Sequence, residues 1–507
     1  MGALKCVCLS DLHLGAAYSV LTWMDASGKI DLLKPGATLS AFGKALRETV
    51  RGLSGPELPT LVLMGDVLDL GQSPFGAVAQ AFKRFVEVLF PSDEPPVFSS
   101  QLLTIPGNHD HHLWRSAQDQ YFLASLNLPA YRDARFIPDL LQHTQLFAPQ
   151  DITCDLMTNV MRGYPHLAAA QARVGVAYPN FGLLNADGMR CMVLHHGHYV
   201  DATYRAMSTL SGAFRGGDGR PRTVAAIERE NGAWVDFLFS ELGSAGTVGA
   251  DLVTLYEMLR DAAASHQFSQ QVGDLLLGKL SSTLGIGGTT TITHGITVAD
   301  VLRGLVDVTL VRGAESERDS YSTVLSPDSV SDLRWYLGGP VFQQICTESE
   351  SRTRDLTRPQ GERGTENKPP VIQDLSFVFG HTHKPFQDQL AIDAYARPVA
   401  VYNTGGWVMD QPTMTPTQGA ASVFIDDELN LASLRLFNDP ANGKMGPVRA
   451  AGVGGFRDAD NPLLAGLGAA LGPTEALWSE FTTQVRAATE LHAKVQLKAF
   501  FPTPSAA

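Results

Sequence analysis

Thr60-Leu61-Val62-Leu63-Met64-Gly65-Asp66-Val67-Leu68-Asp69 carries the most telling pattern of the chain. Thr60 to Met64 is a short apolar run of strand length that stops at a glycine, and two carboxylates follow at once. Upstream, Leu39 to Leu53 carries apolar residues at helical spacing (Leu39, Phe42, Leu46, Val50, Leu53) and ends in Gly/Pro-rich punctuation. Before that, Leu4 to Leu9 is another strand-like run bounded by Ser10-Asp11. Downstream come a helix over Phe75 to Leu89 and a strand over Val97 to Ile105 that ends at Pro106-Gly107-Asn108. This strand–helix–strand–helix–strand order predicts an α/β chain. Its sheet should be mostly parallel, with ligand-bearing loops at the carboxyl ends of the strands.

Further out the pattern changes. Residues 118–171 read as mixed helix and loop. Gly175 to Leu184 and Met189 to Leu194 read as a hairpin ending at His195, which makes the sheet mixed. From Tyr199 to about Gln344 helical patterns dominate, best at Val224 to Leu242 and Ala250 to Ala264, with a Gly/Thr-rich loop from Gly285 to Thr293. Residues 347–370 are polar and read as a linker. Strands follow at Leu375 to Phe379, Val399 to Tyr402, Ala421 to Ile425 and Leu431 to Leu436, and then a helix from about Thr474 to Leu497. That last helix could pack on the core or mediate self-association.

The 507 residues, 44% hydrophobic and 18% charged, are those of an ordinary globular protein. A net charge of −13 argues against general affinity for nucleic acid or anionic lipid. Five cysteines at irregular spacing make no disulfide framework, and Cys6 and Cys8 read as small residues on one buried strand face. No secretory signal or apolar run of about 18 residues is visible, so a cytoplasmic protein without a transmembrane segment is the expectation.

Five clusters of Asp, Asn and His stand at the ends of strand-like runs. They are Asp11-x-His13, Gly65-Asp66-x-x-Asp69, Gly107-Asn108-His109-Asp110, His195-His196-Gly197-His198 and Gly380-His381-x-His383. Between them they hold half of the 14 histidines. Each has a plain reading: turn aspartates, capping residues, exposed histidines. In Gly107-Asn108-His109-Asp110, however, Asn is a neutral oxygen ligand, His a proton donor, and Asp a group that can hold the imidazole in one tautomer. In the fourth cluster His196, just before a glycine, is the leading ligand candidate; His195 and His198 are the runners-up, placed around the ligands. Oxygen and imidazole donors with no cysteine suit two hard-to-borderline divalent metals.

Taken in order, these motifs resemble the signature of the calcineurin-like metallophosphoesterase superfamily, over roughly residues 1–200 and 371–437. The resemblance implies a fold of two facing mixed β-sheets flanked by helices, with a discontinuous catalytic domain (1–199 and 371–437). A large, mostly helical insertion or cap (200–346), the polar linker (347–370) and a C-terminal extension (438–507) would complete the chain. It further implies that Asp11, His13 and His383 bind one metal and that Asn108, His196 and His381 bind the other, with Asp66 bridging. The cofactors would be two divalent ions, Mn, Fe or Zn. His109 is similar to the family's catalytic histidine, Asp110 would orient it, and Asp69 would support the ligands without being one. Two departures stand out: a long gap between Asp110 and His196, and the large segment after Tyr199.

The implied activity is a metal-dependent phosphoric ester hydrolase: a phosphodiesterase or pyrophosphohydrolase on a phosphorylated small-molecule or lipid-linked substrate. Alternatives within the fold are a phosphomonoesterase, including a protein phosphatase, or a nuclease. A non-catalytic scaffold is the rival from another class, though no ligand position is missing here.

Overall fold

The computed structural model of the chain describes residues 2–129, 139–215, 219–237, 287–293, 296–300, 324–356, 372–409, 413–438 and 446–500. Two mixed sheets face each other, and helices cover the outer face of each. In chain order the first strands are β1 (Leu4–Leu9), β2 (Thr60–Leu63), β3 (Gln101–Thr104) and β4 (Arg173–Val176), then β5 (Asn180–Leu184) and β6 (Arg190–His195). A short hairpin, β7 (Thr291–Thr293) and β8 (Ile296–Thr297), is separate from both sheets. Next come β9 (Asp374–Phe379), β10 (Phe386–Leu390), β11 (Val399–Asn403), β12 (Ala420–Asp426), β13 (Leu431–Phe437) and β14 (Arg449–Ala451).

The first sheet has the order β14-β13-β12-β1-β2-β3-β4, parallel from β1 to β4 and antiparallel from β1 outward through β14. In the second sheet, β10-β11-β9-β6-β5, the inner strands β11, β9 and β6 are parallel and both edges antiparallel. The run 175–184, expected as one arm of a hairpin, is divided between the sheets. Its start belongs to β4 and its end to β5, with the chain crossing at the cis Tyr178–Pro179 peptide. Hydrophobicity alone cannot mark such a crossing, because both halves are buried.

Strand alternation builds the layers. Cys6, Cys8 and Val62 of the first sheet meet Met192, Leu194 and Val378 of the second in a core between the sheets. The opposite parity, Val7, Leu9, Leu61 and Leu63, faces helices α1 (Ala37–Leu53) and α2 (Phe75–Leu89). The stripes Leu39, Phe42, Leu46, Val50 and Val78, Phe82, Phe85, Leu89 are buried there, as their spacing predicts.

On the other side, Cys191, Val193, Leu375, Phe377 and Phe379 pack under parts of the segment expected as a cap: α3 (Val224–Asp236), α4 (Pro327–Tyr336) and the start of α5 (Phe342–Leu356). These parts therefore form the outer layer of the second sheet. Helix α5 continues to Leu356, so the stretch expected as a linker begins as helix. Residues 357–371, like the helix expected over Ala250 to Ala264, lie outside the described residues.

The C-terminal helix α6 (Pro462–Phe500) starts well before Thr474 and runs through Gly468, Gly472 and Pro473. Burial of Leu463 and Leu467 outweighs the local propensity that made this stretch look like a loop. Trp478 and Phe481 pack against Phe42, and the Trp478 indole donates to Thr49 Oγ1 at 3.0 Å. The helix thus packs on the core. Among the described residues no helix is long and apolar enough to cross a membrane.

Candidate metal centre

All five clusters lie just beyond the carboxyl ends of β1, β2, β3, β6 and β9, so the two sheets deliver their loops to one place. Backbone hydrogen bonds lace the loops together. Asp11 N donates to Gly65 O (3.0 Å), His13 N to Asp66 O (2.9 Å) and Gly380 N to His196 O (2.7 Å). Side chains add to this: Asp66 Oδ1 accepts from His109 N at 2.7 Å, and Asp11 Oδ1 from His381 N at 3.0 Å.

The backbone is strained where the side chains must converge. Asp11, His13, Asp66, His381 and His383 all have φ between 44° and 68°, a region that non-glycine residues rarely adopt. Five of the seven expected ligands share this feature. Gly65 has φ 79°, and a Cβ there would lie 2.5 Å from His196 Nδ1, so only glycine fits.

Two of the three donor groups at these loops are made of residues named above as candidate ligands. Asp11, His13 and His383 are one, with His383 Nε2 3.5 Å from Asp11 Oδ1. Asp66, His196 and His381 are the other, with His196 Nε2 3.3 Å from Asp66 Oδ2. Asn108 Oδ1 joins the second group, 3.0 Å from both His196 Nε2 and His381 Nδ1. Asp66 Oδ2 also lies 3.9 Å from His13 Nε2, so this carboxylate stands between the groups. His13 Nε2 is buried without a hydrogen-bond partner among the described residues, as a nitrogen waiting for a cation would be. The cysteines are free and none joins these groups, which leaves a pure O/N donor set. The chemistry of these donors suits a metal ion.

A third group, His13, Asp69 and His109, shares His13 with the first. Asp69 is fully buried; its Oδ1 meets His109 Nδ1 at 2.8 Å and its Oδ2 accepts from Tyr18 at 2.9 Å. This corrects one assignment. Asp69 orients His109, whereas Asp110 points the other way and accepts from the backbone N–H groups of Gly107, Asp66, Val67 and Leu68. Adjacent residues in this turn face opposite sides, so sequence proximity misassigned the pair. Asp110 ties the second and third loops together.

His195 and His198 join neither group. His195 ends β6 on the parity that faces outward and packs near Tyr336 and Phe377, with both ring nitrogens unpartnered among the described residues. His198 packs against Tyr199 with the rings tilted at 54° and meets Tyr178 Oη at 3.4 Å. Burial, then the neighbouring imidazoles, pushes both well below the usual histidine range, so they stay neutral.

With only protein charges nearby, the site is strongly polarised. Burial pushes Asp11, Asp66 and Asp69 upward, but adjacent imidazoles outweigh it and hold all three below the usual carboxylate range: His383 for Asp11, His196 for Asp66, His109 for Asp69. Burial lowers His196 and His109, yet the Asp66 charge brings them to about 9 and about 8. Asp110 is pushed up to about 6, by burial first and the Asp66 charge second.

Sequence reasoning missed Tyr18, Ser10 and Thr404. Ser10 hydrogen-bonds Asp11 and Thr404, bracing the first loop from within. Nothing in the local sequence around these residues signals it, because their partners come from distant loops. Compared with protein-family models and with curated proteins, the chain matches none.

Proposed function

We propose that this chain is a member of the calcineurin-like metallophosphoesterase superfamily that hydrolyses a phosphodiester or pyrophosphate bond at the site described above. The observation that carries this reading is the convergence of seven ligand side chains in two groups around one shared carboxylate, Asp66, with His109 alongside. Two divalent ions bound there would supply Lewis-acid activation of water and neutralisation of phosphoryl charge.

The protein's own residues do the rest. Asp11, His13 and His383 would hold one ion; Asn108, His196 and His381 the other. Asp69 fixes His109 through Nδ1, so Nε2 carries the proton toward the departing alcohol or phosphate oxygen. A general acid so placed contributes typically about 10²–10⁴-fold. A small or lipid-linked phosphorylated substrate fits the acidic chain better than nucleic acid does.

The test is a turnover panel on chelator-stripped protein reloaded with Mn, Fe or Zn, using aryl monoesters, linear and cyclic diesters and pyrophosphates. Metal-restored cleavage of diesters or pyrophosphates supports the proposal. Metal binding without turnover on any of them would favour a scaffold.

A further inference from the structure

His381 uses one ring nitrogen in the ligand group, and a second carboxylate waits at the other. Its Nδ1 lies 3.0 Å from Asn108 Oδ1, on the side where the donors converge. Its Nε2 is buried, makes no hydrogen bond among the described residues, and faces Asp201 Oδ2 at 3.7 Å. Both side chains are nearly enclosed, at 7% and 11% exposure. Tyr204 fixes the ring from another direction, edge-on at a centroid distance of 5.1 Å.

Asp201 reaches this place because of the glycine after His196. Gly197 has φ 128°, which turns the chain into the one-turn 3-10 helix His198–Val200. Asp201 N then donates to His198 O at 3.0 Å and closes that turn. One short loop thereby supplies a ligand, His196, and, five residues on, a carboxylate aimed at a ligand of the other sheet strand.

A buried ion pair stands nearby. Arg205, buried, pairs with Asp332 Oδ2 at 2.6 Å, and Arg220 holds the other oxygen at 3.1 Å. The Arg205 and Arg220 guanidiniums stand 4.5 and 5.8 Å from the Trp335 ring centroid. Burial weakens the hold of Arg205 on its charge, and Asp332 and then Asp201 offset this only in part. Asp332 and Trp335 belong to α4, which packs against the short helix His198–Val200 that precedes Asp201.

We infer that Asp201 is the positioning residue of the second metal group: it accepts Nε2–H of His381, so that the Nδ1 lone pair is held toward the cation. A ligating histidine whose other nitrogen donates to a carboxylate has a fixed tautomer and a more basic donor, and loss of that carboxylate typically costs about 10–100-fold in metal affinity. The 3.7 Å gap exceeds a hydrogen bond, and a shift of under about 1 Å closes it. The inference rests on the metal-centre reading and adds a residue that no motif contains.

The experiment is calorimetric titration of Zn²⁺ into the chelator-stripped full chain. The wild type should bind two ions. Asp201→Ala should leave one site unchanged and weaken the other by about 10–100-fold. His381→Ala should lose that same site, and adding Asp201→Ala to it should change nothing further. Asp201→Asn keeps an acceptor oxygen and nearly the same shape, so it should show a smaller loss at the same site; it serves as the readout should the alanine variant not melt cooperatively. Unchanged sites in a folded variant, or equal weakening of both, overturn the role of Asp201 alone. A wild-type chain that binds no zinc overturns the metal centre, and this inference with it.

Discussion

His109 and Asp69 are held together at 2.8 Å, although 40 residues separate them and Asp110 is the nearer carboxylate in sequence. The pairing divides the labour among three aspartates: Asp66 shared by the donor groups, Asp69 on the candidate acid, Asp110 on the backbone of two loops.

Asp69→Asn should therefore behave as a catalytic lesion. The amide cannot accept a proton-bearing Nδ1 with the strength of a carboxylate, so turnover should fall by about 10²-fold or more while bound metal stays at the wild-type level. Kinetics with metal analysis on the same preparation checks this. Loss of metal with little effect on turnover per bound ion would mean that Asp69 is a ligand.

Asp110→Ala should be a stability lesion. Four backbone N–H groups, those of Gly107, Asp66, Val67 and Leu68, lose their acceptor in a fully buried place. Removing a buried charged acceptor costs on the order of 2–4 kcal/mol. The denaturant midpoint should drop accordingly, and more than for Asp69→Asn.

The fold was legible where each strand was followed by a helix of clear stripe, as in Thr60 to Leu63 and Phe75 to Leu89. It was not legible where burial on both sides removed the pattern, as at the crossing of Tyr178–Pro179, nor where packing overrode glycine and proline, as in the first turns of α6. The candidate donors were readable because each sits at a strand end. Supports such as Tyr18 and Asp201 were not, because their partners lie 51 and 180 residues away.

His492, on α6, offers a test of how that helix is docked. Burial lowers its pKa to about 4, against about 6.5 when exposed. The folded chain favours the neutral ring, so this contribution is fully present above pH 6.5 and is lost as pH falls toward 4. The loss is on the order of 3 kcal/mol at the low end. Urea midpoints at pH 7 and pH 4.5 should fall further apart for the wild type than for His492→Gln. Equal differences would show that the ring is solvated.

Whether five loops make one centre around a shared Asp66 is decided by metal content per chain in the wild type and in Asp66→Ala, read beside hydrolysis of an aryl phosphodiester. Two ions and metal-dependent turnover are expected in the wild type, with both collapsing in the variant. Two ions and full turnover in Asp66→Ala would rule out a shared Asp66.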